Sequence, residues 1–177
     1  MNEDNRIGRL AIAFIVLAVI VCIAVFALTE CANYFDPLWD FDEIPALGIK
    51  TVQDAMDWVS REIKYVPDSI HYPADEYWQS PLQTFVWRCG DCEDYCILAL
   101  YLIHRDVGID GKMCVGMCYG GMHGWVYVDG HFWEPQTARM VDNNPEYTSP
   151  AAMLDYDEVI RRATTTHKAI QEQEGWE

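Results

Sequence analysis

Positive charge is what this sequence has least of: Lys and Arg total 12 against 28 Asp and Glu, for a formal net charge of -16 at pH 7. So acidic a surface repels phosphate backbones, which excludes nucleic acid as a partner. No internal repeat and no low-complexity tract appears along the chain. At 177 residues it is too short for two comfortable domains and suits one domain with an appendage. Its 51% hydrophobic and 13% aromatic content excludes a disordered chain.

Charge is missing altogether from Leu10–Leu28, which also lacks Pro, Gly, Asn and Gln. A helix of that length spans about 28 Å at ~1.5 Å per residue, close to the ~30 Å of a bilayer's hydrocarbon core. A buried core helix would show a polar stripe, and this run has none. The reading is a transmembrane anchor over 10–28. A cleaved signal peptide is the rival, with small residues around Val25-Phe26-Ala27, although the run exceeds the usual ~7–15 residues of a signal core. Arg6 and Arg9 precede the segment, whereas Glu30, Asp36, Asp40, Asp42 and Glu43 follow it. The positive-inside rule then leaves residues 1–9 as a cytoplasmic tail and sends the rest outside the membrane. Tyr34, Phe35, Trp39 and Phe41 fall where an interfacial aromatic belt would lie, or pack on the domain's own surface.

Residues 29–49 read as an acidic, aromatic, Pro-interrupted linker, and the folded domain occupies 50–177. Thr51 and Asp54 signal a helix start, Val52, Ala55, Met56, Val59 and Ile63 recur at helical spacing, and Pro67 stops the run. Residues 68–83 read as a long ordered loop. A second helix starts at Asp91-Cys92 and ends before Gly108, apolar nearly all round and therefore central. Strands are expected over 112–119 and 122–128, then a two-residue turn at Asp129-Gly130 and a returning strand over 131–134. Ser149-Pro150 is read as the cap of a last helix. Helices first and an antiparallel sheet afterwards is an α+β order.

Cys92 stands at the start of the central helix, where unpaired N–H groups and the helix dipole favour a thiolate and can bind an oxyanion. Glu93 and Asp94 repel a thiolate, so an imidazolium partner is needed. The turn at Asp129-Gly130 puts Val128 opposite His131, Trp125 opposite Glu134 and His123 opposite Gln136. His123 and Glu134 then share a sheet face as diagonal neighbours, the arrangement in which a carboxylate orients an imidazole. Gln136 is the competing orienting group.

Tyr65 and Asp68, Trp78 and Pro81, Gly90-Asp91-Cys92-Glu93-Asp94, His123-Gly124-Trp125-Val126-Tyr127-Val128 and Trp133-Glu134-Pro135 together resemble the transglutaminase-like cysteine protease superfamily over roughly residues 50–137. The resemblance implies a papain-like core, acyl transfer through a thioester, Cys92 as nucleophile, His123 as general base and Glu134 as orienting acid. The last position is usually Asp, so Glu134 departs from the pattern by one methylene. Water as acceptor makes a cysteine peptidase or amidase, the favoured reading, acting on protein or cell-wall peptide; an amine makes a protein-glutamine acyltransferase. Bacterial members bind calcium through acidic residues beside the cysteine, which implies Asp91 and Glu93; from the residues alone these are the helix N-cap and a favourable first-turn charge. No other cofactor is expected. Gln79 and Gln83 are candidates for the second oxyanion donor. Tyr77, Trp78, Trp87 and Trp125 either line a cleft or belong to the core.

Three rival readings remain at this point. Cys89-x-x-Cys92 and Cys114-x-x-x-Cys118 fit a zinc site by count, and Cys89-x-x-Cys92 alone fits a redox centre. The same fold without catalysis would be a binding or assembly module, with Glu134 in place of Asp its one sequence hint.

Overall fold

The computed structural model describes the backbone of residues 43–71 and 77–174 and the side chains of 43–70 and 77–165. The anchor at 10–28, its flanking charges and the aromatic belt lie outside the described residues. Among those described, no helix is long and apolar enough to cross a membrane.

Helix α1, Val52–Glu62, begins as its sequence signals. Thr51 Oγ accepts from the Asp54 N–H at 3.1 Å, and Asp54 Oδ2 accepts from the Thr51 N–H at 3.0 Å. Val52, Ala55, Met56 and Val59 form its buried stripe. A two-residue strand β1, Lys64–Tyr65, follows and pairs in parallel with β2, Cys89–Gly90. That ladder fixes the end of α1 beside the start of the central helix.

The stretch read as a loop contains two helices, α2 at Asp68–His71 and α3 at Pro81–Trp87. Ser80 and Gln83 form a capping box and Pro81 occupies the first turn. Proline there marks a helix start, because the N–H it lacks has no partner within a helix anyway.

Helix α4, Cys92–Leu102, is buried along almost its whole length, runs on through a π-helical turn at Ile103–Val107 and stops at Gly108. It lies on a five-stranded antiparallel sheet of order β6-β5-β4-β3-β7. The strands are β3 Lys112–Cys118, β4 Gly121–Val128, β5 His131–Glu134, β6 Arg139–Met140 and β7 Ala152–Asp155. Val128 pairs with His131, Tyr127 with Phe132 and Val126 with Trp133, the register read from the turn. Asp129 and Gly130 both take positive φ, 52° and 83°, as a type I′ turn requires.

The last helix starts later than its cap signal suggests. Ser149-Pro150 leads instead into β7, which pairs antiparallel with β3 from Val115↔Ala152 to Lys112↔Asp155, and helix α5 runs over Tyr156–Glu174. The edge of β3 needed a partner for its N–H and C=O groups, and that tertiary demand overrode a local cap.

Met113, Val126 and Val128 pack with α4 in the main core. Cys114, Cys118 and Trp125 point to the other sheet face and pack with Tyr147. The α+β architecture is therefore as expected.

Candidate active site

Asp94 builds the start of α4. It is wholly buried; its Oδ2 accepts from the Asp91 N–H at 3.2 Å and its Oδ1 from the Gln79 N–H at 2.8 Å. One carboxyl thus ties the Trp78–Ser80 segment to the turn that carries Cys92. Behind it, buried Asp68 accepts from the Tyr77 N–H, and the Asp68 N–H donates to Asp91 Oδ2 at 3.4 Å.

Gly124 brings the sheet against this turn. A Cβ added to it would lie 3.6 Å from the Cys92 carbonyl carbon and oxygen and 3.1 Å from Met113 Cε. The Gly124 N–H faces the Cys92 thiol and favours the thiolate. Strand N–H groups lie in the plane of their sheet, so the sulfur stands at the edge of β4, beside the residue that follows His123.

Next along that strand, His123 Nε2 meets Glu134 Oε2 at 2.6 Å. Glu134 is buried, and its Oε1 accepts from the Gln136 N–H at 3.1 Å. The longer arm of Glu therefore reaches the imidazole. Gln136 contributes backbone: its N–H to Glu134 and its C=O to the Ser60 hydroxyl at 2.8 Å. β5 leaves the ladder at Pro135 before His123 and Gln136 can face each other.

Tyr147 escaped the sequence reading. Burial, and then the Glu134 carboxylate beside its hydroxyl, pushes its ionisation well up. Its ring stands edge-on to His123 at 6.1 Å and to Trp125 at 5.5 Å. Tyr147 lies in a loop with no periodicity, and only Asn144, which accepts from the Glu146 N–H at 3.1 Å and the Tyr147 N–H at 3.0 Å, signals a turn there.

The thiol differs from expectation. Cys92 Sγ donates to Glu93 Oε2 at 3.3 Å, and burial, then the charges of Glu93 and Asp91, raise its ionisation far above the usual thiol range. The helix terminus is present, but desolvation and two flanking carboxyls outweigh it. Among the described residues no hydrogen bond joins Cys92 Sγ to His123. Imidazole and carboxylate are thus assembled, while burial and the flanking carboxyls hold the thiol protonated.

The zinc and redox readings are corrected. Cys89 is disulfide-bonded, whereas Cys92, Cys96, Cys114 and Cys118 are free thiols. Cys89 is therefore neither a free ligand nor the partner of Cys92. Among the described residues, the groups able to hold a cation are Asp91–Cys92–Glu93 and Asp68–Asp91–Asp94. Asp91 Oδ1 and Glu93 Oε1 are buried without a hydrogen-bond partner. Glu93 is pushed up by burial and then by the neighbouring Asp91 and Asp94. Oxygen donors left unpaired in an excess of negative charge fit a hard cation such as calcium.

Of the oxyanion candidates, Gln83 is committed elsewhere: Oε1 accepts from the Ser80 N–H and Nε2 donates to the Tyr77 hydroxyl, both at 2.8 Å. Gln79 is buried with Oε1 unpartnered. Tyr77 and Trp125 are core, and half-buried Trp78 lies under Arg162.

No protein-family model matches the chain, and no curated protein matches it in sequence. Among solved structures, it resembles Legionella pneumophila LapG, EGTA-treated, at 16% identity and a TM-score of 0.50, over 79% of this chain and 86% of that one. A second structure of Legionella pneumophila LapG matches at 16% identity and a TM-score of 0.49, over 82% and 84%. The likeness is one of fold, the mixed arrangement of helices and antiparallel sheet described above.

Proposed function

We propose that the protein is a thiol-dependent acyl-transfer enzyme with Cys92 as nucleophile, His123 as base and Glu134 as orienting acid. The observation that carries the reading is the His123–Glu134 contact of 2.6 Å, made by the residue preceding the glycine whose N–H meets the Cys92 sulfur. Glu134 takes Nε2, leaving Nδ1 of the ring for the thiol proton. The sulfur then attacks a carbonyl carbon, and the oxyanion that forms is met by N–H groups at the start of α4, with Gln79 as the second donor. The imidazolium returns its proton to the leaving amine, and water releases the acyl group from the thioester.

Hydrolysis of a protein or peptide is the favoured outcome, and an inactive binding module is not, since Glu134 makes the contact that its departure from Asp put in question. Fluorescent casein and dansyl-cadaverine distinguish the acceptors. Casein cleavage without amine incorporation, lost in Cys92→Ser, is expected. Incorporation of the amine would make the protein a transamidase, and activity surviving Cys92→Ser would remove the thiol from the reaction.

Calcium fits Asp91 and Glu93, and its positive charge beside the sulfur would favour the thiolate that burial and these carboxyls disfavour. Glu93 must release its proton to bind calcium, so affinity should rise with pH and binding should expel a proton. Calcium titration by calorimetry at pH 6 and pH 8 checks this, with tighter binding at pH 8 and loss in Glu93→Gln expected. Equal affinities at the two pH values would contradict it.

The domain is further proposed to sit outside the cytoplasmic membrane on the 10–28 anchor. The Arg6/Arg9 asymmetry supports that orientation, as does the disulfide at Cys89, which belongs to an oxidising compartment. Protease added to intact cells should reach the domain; complete protection would reverse the orientation.

A further inference from the structure

The sheet continues beyond the catalytic helix, and what it leaves open there has the form of a peptide-binding edge. β5 stops pairing with β4 at Val126↔Trp133, because the chain turns away at Pro135. Residues 121–124 of β4 consequently have β3 on one side and, among the described residues, no strand on the other.

The orientation of that free edge follows from the ladder. The Val115 carbonyl points away from β4, accepting from the Ala151 N–H at 2.9 Å. Val115 and its partner Gly124 are therefore a non-hydrogen-bonded pair, which agrees with the Gly124 N–H turning outward to the Cys92 sulfur. Antiparallel pairs alternate, so Met117 and Met122 are again such a pair. The N–H and C=O of Met122 then point to the same open side as the N–H that meets the thiol.

Side chains add the second half. Met122 and Gly124 share a sheet face, as do Met117 and Val115, and this is the face that α4 covers. Helix α4 begins at Cys92, over Gly124, so the next pair outward has no cover: Met117 is 58% and Met122 66% exposed. Non-hydrogen-bonded partners stand close, about 4.5 Å between Cα atoms, and the two thioethers form one adaptable apolar surface.

Building on the acyl-transfer reading, we propose that the substrate is an extended peptide that adds as a strand to the β4 edge at Met122, with an apolar side chain seated on the Met117–Met122 pair. The residue whose carbonyl reacts lies opposite Gly124. The peptide runs parallel to β4, so the residue two positions N-terminal to the reacting one lies opposite Met122 and turns its side chain to the methionines, while the Met122 N–H and C=O bond to the main chain of the residues on either side of it. The main chain supplies register, and the methionines select leucine-like over polar side chains.

The test uses two near-isosteric probes, acetyl-Leu-Ala-Ala-chloromethyl ketone and acetyl-Asn-Ala-Ala-chloromethyl ketone, with alkylation of Cys92 followed by mass spectrometry. The Leu probe should react about tenfold faster, the factor that partial burial of a leucine side chain supplies. In Met117→Ser/Met122→Ser the ratio should fall to within about twofold. N-methylation of the alanine that follows the leucine, tested on the unaltered protein, should also remove the advantage. No Leu preference, a preference that survives the double substitution, or indifference to N-methylation would overturn the proposal. If Cys92 is inert to both ketones with calcium present, the nucleophile reading fails by itself. Fluorescence anisotropy of the same tripeptides as labelled amides then decides the surface, with the same preference and the same loss expected.

Discussion

Glu134→Gln should lower the acyl-transfer rate by about two to four orders of magnitude, the range that a positioned acid or base and its orienting partner contribute. The substitution keeps the size of the side chain and removes its charge. The amide can also turn an N–H toward Nε2, where the ring needs an acceptor for its own N–H, and so bias the imidazole to the wrong tautomer. Glu134 anchors more than the ring, because its carboxylate also accepts from the Gln136 N–H. Glu134→Asp keeps the charge but shortens an arm that spans to a 2.6 Å contact, so it should fall between Gln and the unaltered protein. Gln136→Ala should cost little, since Gln136 serves through its backbone. Rates of casein cleavage for the three variants check the ranking. A dead Gln136→Ala beside an unaffected Glu134→Gln would transfer the orienting role to the amide.

The largest loss of stability should come from Asp94→Ala. Its carboxyl accepts from two backbone donors, the N–H groups of Asp91 and Gln79, inside a fully buried site. Each donor left unpaired costs roughly 1–3 kcal/mol, so about 2–6 kcal/mol is expected, seen as a fall in Tm on the order of 5–20 °C. Burial pushes Asp94 well above the usual carboxylate range, so the folded state disfavours its charge. What the site requires is acceptance of hydrogen bonds. Asp94→Asn supplies one carbonyl acceptor and should recover about half of the loss. Thermal unfolding followed by circular dichroism checks the order, and a Tm unchanged in Asp94→Ala would contradict the role given to this residue.

The parts of the molecule that were legible in the sequence are those whose determinants are local. Thr51 and Asp54 cap α1 by hydrogen bonds across three residues. Asp129-Gly130 fixes a hairpin register because few residues accept positive φ twice in succession. That register is enough to bring His123 to Glu134. Where the determinant is tertiary, the sequence misleads. Ser149-Pro150 has the form of a helix cap, yet the unpaired edge of β3 draws the next residues into β7. The start of α3 was legible and misread, with Pro81 taken as a loop residue instead of a first-turn proline. Tyr147 reaches the His123–Glu134 pair from a loop that no period marks. The ionisation of Cys92 was the hardest to foresee. The helix terminus is visible in sequence, whereas the desolvation that outweighs it depends on how tightly β4 packs over the turn.

Cys92 is the nucleophile, held as a thiol by its burial and by the carboxyls of Glu93 and Asp91 until a cation binds them. Iodoacetamide alkylation at pH 7, with and without calcium and followed by peptide mapping of Cys92, Cys96, Cys114 and Cys118, tests it most directly. The account predicts slow modification in the absence of calcium, at least tenfold faster modification of Cys92 in its presence, and a similar gain without calcium in Glu93→Gln. Cys96, Cys114 and Cys118, all buried, should stay unmodified in the folded protein. Modification centred on one of those three, or a Cys92 that stays inert both with calcium and in Glu93→Gln, would contradict it.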